Sequence, residues 1–103
     1  MKLAAMFFAG VLLCNCIPHL VSGLQGKPFP SPFARPSGVG DSSPIVNFLW
    51  GASNLLLGAG VLLRHPVLVG FGPDCTALLA GAAASGVFLS LHFGKVARDR
   101  KGK

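Results

Sequence analysis

The feature that most limits what this chain can fold into is the stretch from Asp41 to Leu63, in which Ser43 and Pro44 introduce 19 residues, Ile45 to Leu63, without a charge. A serine hydroxyl can accept from the orphan amide donors of a first helical turn. Proline, lacking that donor, is comfortable at the first helical position, so a helix is predicted to begin at Pro44. At about 1.5 Å per residue the run approaches the roughly 30 Å hydrocarbon thickness of a bilayer. Arg64, His65 and Pro66 then stop it. Asn47, Gly51, Asn54 and Gly58 recur in steps of four, three and four, which places them in one stripe down the helix. That stripe is expected to face protein, because an amide in lipid has no partner and glycines admit a second backbone. Leu49, Leu56 and Leu63 fall on other faces and are expected to meet lipid.

Two further apolar runs accompany it, at 3–23 and 76–94. A chain of 103 residues that is 51% hydrophobic and 12% charged, with mean hydropathy +0.63, is too apolar for a soluble domain. The expected fold is all-α: a small helical integral membrane protein with three transmembrane helices, forming a single membrane domain over 1–103. Its segments are a helix at 3–23, a Pro/Gly-rich loop at 24–43, a helix at 44–64, a loop at 65–74, a helix at 75–95 and a basic tail at 96–103. The only acids are Asp41, Asp74 and Asp99, all outside the apolar runs. Catalysis by paired carboxylates is thereby excluded, and no enzyme is expected.

The first run has two readings. One is a secretory signal peptide with a single positive charge at Lys2, a helix-breaking Pro18 and an imperfect small-residue cleavage site at Val21, Ser22 and Gly23. The other is a retained helix of 21 residues. Charge distribution favours retention. With three spans and a cytoplasmic tail, seven Lys and Arg residues lie inside, and only Lys2 and Arg64 lie outside. Cleavage would leave the tail, with five of the nine basic residues, on the wrong side. The net charge of +6 is thus a topology determinant, and no nucleic-acid partner is expected. The expected location is the inner (plasma) membrane, as a multi-pass protein with the N-terminus outside.

In the first loop, Pro28, Pro30 and Pro32 alternate with Phe29, Ser31 and Phe33, a pattern that forbids regular helix and favours extended geometry. With Lys27 and Arg35 flanking, Phe29 and Phe33 would allow this loop to lie along the headgroups. A semi-rigid connector without a partner is the alternative. His19, Gly23, Gly26, the FPSPF stretch from Phe29 to Phe33, the SSP from Ser42 to Pro44, and Asn47, Trp50, Gly51 and Asn54 together form a pattern. In it, residues 19–58 resemble a group of small bacterial membrane proteins without an assigned function. The resemblance implies a retained first helix and a bacterial membrane; it implies no activity or cofactor, and Cys14, Cys16 and Cys75 lie outside it.

In the second loop, apolar Val67, Leu68, Val69 and Phe71 are expected near the interface, and Asp74 is a candidate cap for the third helix. In that helix Gly81, Ser85, Phe88 and His92 share a side, expected to pack on the glycine stripe of the second helix. Trp50, six residues past the helix start, suits an interfacial anchor with its indole N–H wetted, or packing against the proline-rich loop.

By depth, Asn15, His19, Asn47 and His92 fall in one leaflet beside the proline-rich loop, with Asn54 deeper. They form a candidate polar pocket in which His19 and Asn47 hydrogen-bond across helices. Interhelical adhesion is one reading of these residues; a small-molecule, lipid or haem pocket is another. Cys14 and Cys16 point about 200° apart around a helix, so they cannot converge with His19, and no metal site is expected. No cofactor is assigned. The expected partners are the lipid bilayer and either a second copy of the chain or another membrane protein.

Overall fold

The structure, a computed structural model, describes residues 2–66, 70 and 72–101. It contains helices α1 (Lys2–Leu24), α2 (Pro44–Arg64) and α3 (Pro73–Lys101), with a short antiparallel ribbon of β1 (Phe29–Pro30) and β2 (Asp41–Ser42) between the first two. All three helices are long and apolar enough to cross a membrane, so the chain is an all-α membrane protein with three transmembrane helices. Leu56 and Leu63 are 72% and 82% exposed, and Leu49, Phe8, Leu79 and Leu91 are exposed as well. A continuous apolar surface on this scale belongs in lipid. Val67, Leu68, Val69 and Phe71 lie outside the described residues.

Local chemistry sets the helix ends. Ser43 accepts from the Val46 amide at 3.3 Å and Pro44 occupies the first turn, which starts α2. The His65 amide bonds the Val61 carbonyl and closes it. α1 runs through Pro18 without a break, since membrane helices tolerate proline when neighbours re-satisfy the freed carbonyl. α3 differs from expectation at both ends. It begins at Pro73, so Asp74 lies inside the first turn and pairs with Lys2 at 2.8 Å instead of capping. It also continues to Lys101 through the segment expected to be a tail. Arg100 anchors that extension, reaching Asp41 at 2.9 and 3.2 Å and the Val39 carbonyl at 2.6 Å, while Val96 is buried. Three cations in the last turn also oppose the negative end of the helix dipole.

The spatial centre is α1, not α2. α1 packs extensively on both other helices, which scarcely touch each other. The buried residues of α2 are Asn47, Gly51, Asn54 and Gly58, the polar and glycine stripe, and it meets α1: a methyl on Gly51 would lie 2.8 Å from the Leu20 amide nitrogen. Gly81 and Ser85 of α3 are also buried, but against α1 rather than against α2 as expected. A methyl at Gly81 would strike the Phe7 carbonyl oxygen, and one at Gly10 would strike that of Leu78. α1 can serve two neighbours because Leu13, Cys16 and Leu20 line one side of it while Phe7, Gly10 and Cys14 line another.

The molecule is 47 Å long, beyond the roughly 30 Å hydrocarbon core and matched to a bilayer with its headgroups. At one end the 25–43 loop fills the angle that α2 and α3 leave open. Gly81→Val is expected to lower stability by about 1–3 kcal/mol in thermal or denaturant unfolding in detergent, because the backbone contact cannot yield. Gly60→Ala, where a methyl would meet nothing within 4 Å, should be neutral or slightly stabilising.

Candidate intramembrane cleft

The polar residues of the loop end assemble around Asn47, which is fully buried. Its amide nitrogen donates to the carbonyls of Phe29 at 2.8 Å and of Ser42 and Ser43 at 3.2 Å. Only an NH2 group can face three carbonyl oxygens, so the remaining atom is the oxygen, and His19 Nδ1 donates to it at 2.7 Å. The bond fixes the His19 tautomer: in the neutral ring Nδ1 carries the hydrogen and Nε2 is an acceptor. Asn47 thereby ties α1, both strands and the first turn of α2 to one amide.

The other polar groups find separate partners. Asn15 donates to Asn54 at 3.1 Å, so the deeper asparagine, not Asn47, is its partner. Asn54 in turn donates to the Trp50 carbonyl at 2.8 Å. His92 reaches across to the loop, donating from Nε2 to the Gly38 carbonyl at 2.6 Å. Gly38 has φ +71, a left-handed conformation that glycine adopts without strain, and its Cα faces the His92 ring. Ser31 and Ser42, both buried, share a hydrogen bond at 2.6 Å that pins the ribbon.

Between α2 and α3, floored by α1 and roofed by the loop, is a cleft of about 270 Å³. Asn15, His19 and His92 line it together with Trp50, Phe88 and Phe93, whereas Asn47 stands behind His19. The walls are largely aromatic: Phe88 and His92 stack at 5.8 Å, 5° from parallel, and Phe93 lies against both histidines. Trp50 packs edge-on to Phe33 of the loop at 5.3 Å. Its indole N–H is buried with no hydrogen-bond partner among the described residues, so it is not the wetted anchor that an interfacial tryptophan would be.

The loop's two phenylalanines part company. Phe29 turns inward against Phe93 at 4.6 Å and His19 at 5.6 Å, so it does not lie along the headgroups; Phe33, 64% exposed, is the one that remains outside. Lys27 and Arg35 are exposed. A haem between His19 and His92 does not fit this geometry. His92 Nε2 is engaged by Gly38, Phe93 lies beside both rings, and the cleft falls just below the roughly 300–1,000 Å³ typical of ligand pockets. Among the described residues no three His, Cys, Asp or Glu side chains are grouped as metal ligands, and the Cys16 thiol is engaged with the Leu13 carbonyl.

Residues that sequence reasoning passed over include Gly10, Gly38, Phe93 and Arg100. The small pair Gly10 and Cys14, four apart, was a readable packing signal. So was Asp41, the only acid close to the first loop and an obvious partner for a basic tail. Nothing local marks Gly38 or Phe93. No family model, curated protein or solved structure matches the chain.

Asn47→Ala removes the partner of the His19 N–H and of the Phe29 and Ser42 carbonyls, while the Ser43 carbonyl keeps the backbone N–H of residue 47. It is expected to cost about 2–4 kcal/mol in unfolding from mixed micelles. Asn47→Asp should be at least as damaging, because it sets an acceptor against the carbonyls of Phe29, Ser42 and Ser43.

Proposed function

We propose that the protein is a non-enzymatic structural or accessory component of a bacterial inner membrane, associating with a second copy of itself or with another membrane protein. The observation that carries this reading is the outer side of α3, where Ala80, Ala84, Val87 and Leu91 share one face and all are exposed. Small residues at this spacing let a second helix approach closely, which is how helices associate when lipid removes the hydrophobic drive. The intramembrane polar groups support it too. Asn15, His19, Asn47, Asn54 and His92 each place at least one hydrogen bond on another helix, on their own helix or on the loop, as adhesive groups do.

A photoreactive residue at Ala84 is expected to give a discrete protein adduct in membranes, at twice the chain mass for self-association or at a larger mass for a partner. The same residue at Leu56 should give lipid adducts only. Absence of a protein adduct at Ala80, Ala84 and Val87 alike would remove this reading.

The orientation follows from the basic residues, with the loop, Lys95, Arg98, Arg100 and Lys101 on the cytoplasmic side. A fluorescent protein fused after Lys103 should therefore fluoresce, and a periplasm-dependent phosphatase at the same point should stay inactive.

A second reading, favoured by the unpartnered Trp50 N–H in an aromatic cleft, is a binder of a small lipid-soluble molecule.

A further inference from the structure

We infer that the cleft beside Trp50 takes the hydroquinone head group of a membrane-soluble lipid. This rests on the second reading above, that the cleft binds a ligand. Ligand chemistry follows from the hydrogen-bonding capacity left over once internal bonds are assigned. His19 gives its Nδ1 hydrogen to Asn47, which leaves Nε2 as an acceptor. His92 gives its Nε2 hydrogen to Gly38, which leaves Nδ1 as an acceptor. Asn15 donates one of its two amide hydrogens to Asn54; the second hydrogen and the oxygen have no partner among the described residues. Against these three acceptors stand two donors, the second Asn15 N–H and the indole N–H of Trp50.

A complementary ligand must therefore donate more than it accepts while doing both, and it must be uncharged, since no cation or anion lines the cleft. Hydroxyl groups meet both conditions, each supplying a donor while still accepting from the indole. The walls favour a flat ring: Phe88 and His92 form a stacked pair, and Phe93 and Trp50 stand edge-on to their neighbours. The volume of about 270 Å³ suits one six-membered ring. A lipophilic tail has an exit, because Phe88 at the rim is 65% exposed on a helix face that meets lipid. The oxidised quinone offers the same ring with acceptors only, so it can satisfy Trp50 and the second Asn15 N–H but leaves the two imidazole nitrogens and the Asn15 oxygen unmatched.

Trp50 is the sole tryptophan, so its fluorescence reports on the cleft directly. The full-length protein in lipid nanodiscs is titrated anaerobically with decyl-benzoquinol and, separately, with the corresponding benzoquinone. Saturable quenching is expected, with the quinol bound roughly tenfold more tightly, the equivalent of one to two neutral hydrogen bonds. His92→Phe, which keeps a ring and deletes the acceptor, should shrink that preference. Leu89→Phe, which crowds the cleft, should weaken both ligands; retained helicity and unfolding midpoint establish that each variant is folded. Equal affinity for the two forms, or a preference for the quinone, would overturn the hydroquinone assignment and leave the cleft a binding site. Absence of saturable quenching by either compound would overturn it too. Native mass spectrometry then separates the two claims: a co-purifying molecule displaced by Leu89→Phe preserves the binding reading, and an empty protein removes it as well.

Discussion

The side-chain amide of Asn47 is the point on which the loop end of this protein depends. In hydrocarbon there is no water to take up an unused hydrogen bond, so a buried carboxamide is stable only where every valence is met. Here His19 of α1, Phe29 of β1, Ser42 of β2 and Ser43 at the start of α2 meet them together. Because one group serves four segments, the register of α1 against α2 and the path of the loop are set at the same place. The proline-rich sequence contributes by denying the loop a regular helix, and the ribbon that results brings the Phe29 and Ser42 carbonyls within reach.

A second constraint comes from the absence of side chains. Gly10 and Gly81 allow α1 and α3 to approach at backbone distance; Gly51 does the same between α1 and α2, and Gly58 makes room for the Leu13 side chain. With its neighbours held on two sides, α1 becomes the axis and α2 and α3 diverge. The angle between them would be an open slot in lipid, and the loop closes one end of it through the His92 bond to Gly38 and the Arg100 bonds to Val39 and Asp41. What remains unfilled is the cleft. Its polar lining is thus a product of the way the helices are joined, and its free donors and acceptors are those that the joining did not use.

The exposed Arg100 and Asp41 pair contributes little energy by itself, on the scale of 0.2–1 kcal/mol for surface ion pairs. Its effect is positional: with the Val39 carbonyl it holds the end of α3 beside the loop, so a segment that reads as a basic tail continues as helix. Charge there has two separable consequences. The excess of Lys and Arg favours one orientation in the membrane, while a single Arg fixes the loop.

Much of the fold was legible because lipid makes the rules severe. Three uncharged runs of spanning length, the Ser43 and Pro44 start, and the stripe of Asn47, Gly51, Asn54 and Gly58 follow from the sequence alone, since helix period and the intolerance of lipid for unpaired amides leave no other arrangement. The sequence also brings His19 and Asn47 to the same depth, where their bond forms. It does not say which helix is central, because the glycines of α3 suit a neighbour on either α1 or α2; only the packing on two sides of α1 settles that. Nor does it pair Asn15 with Asn54, turn Phe29 inward while Phe33 stays out, or bury the Trp50 N–H. Those outcomes depend on angles between helices and on the loop's return path. A sequence periodicity records which residues share a face, and tertiary structure alone decides what that face meets.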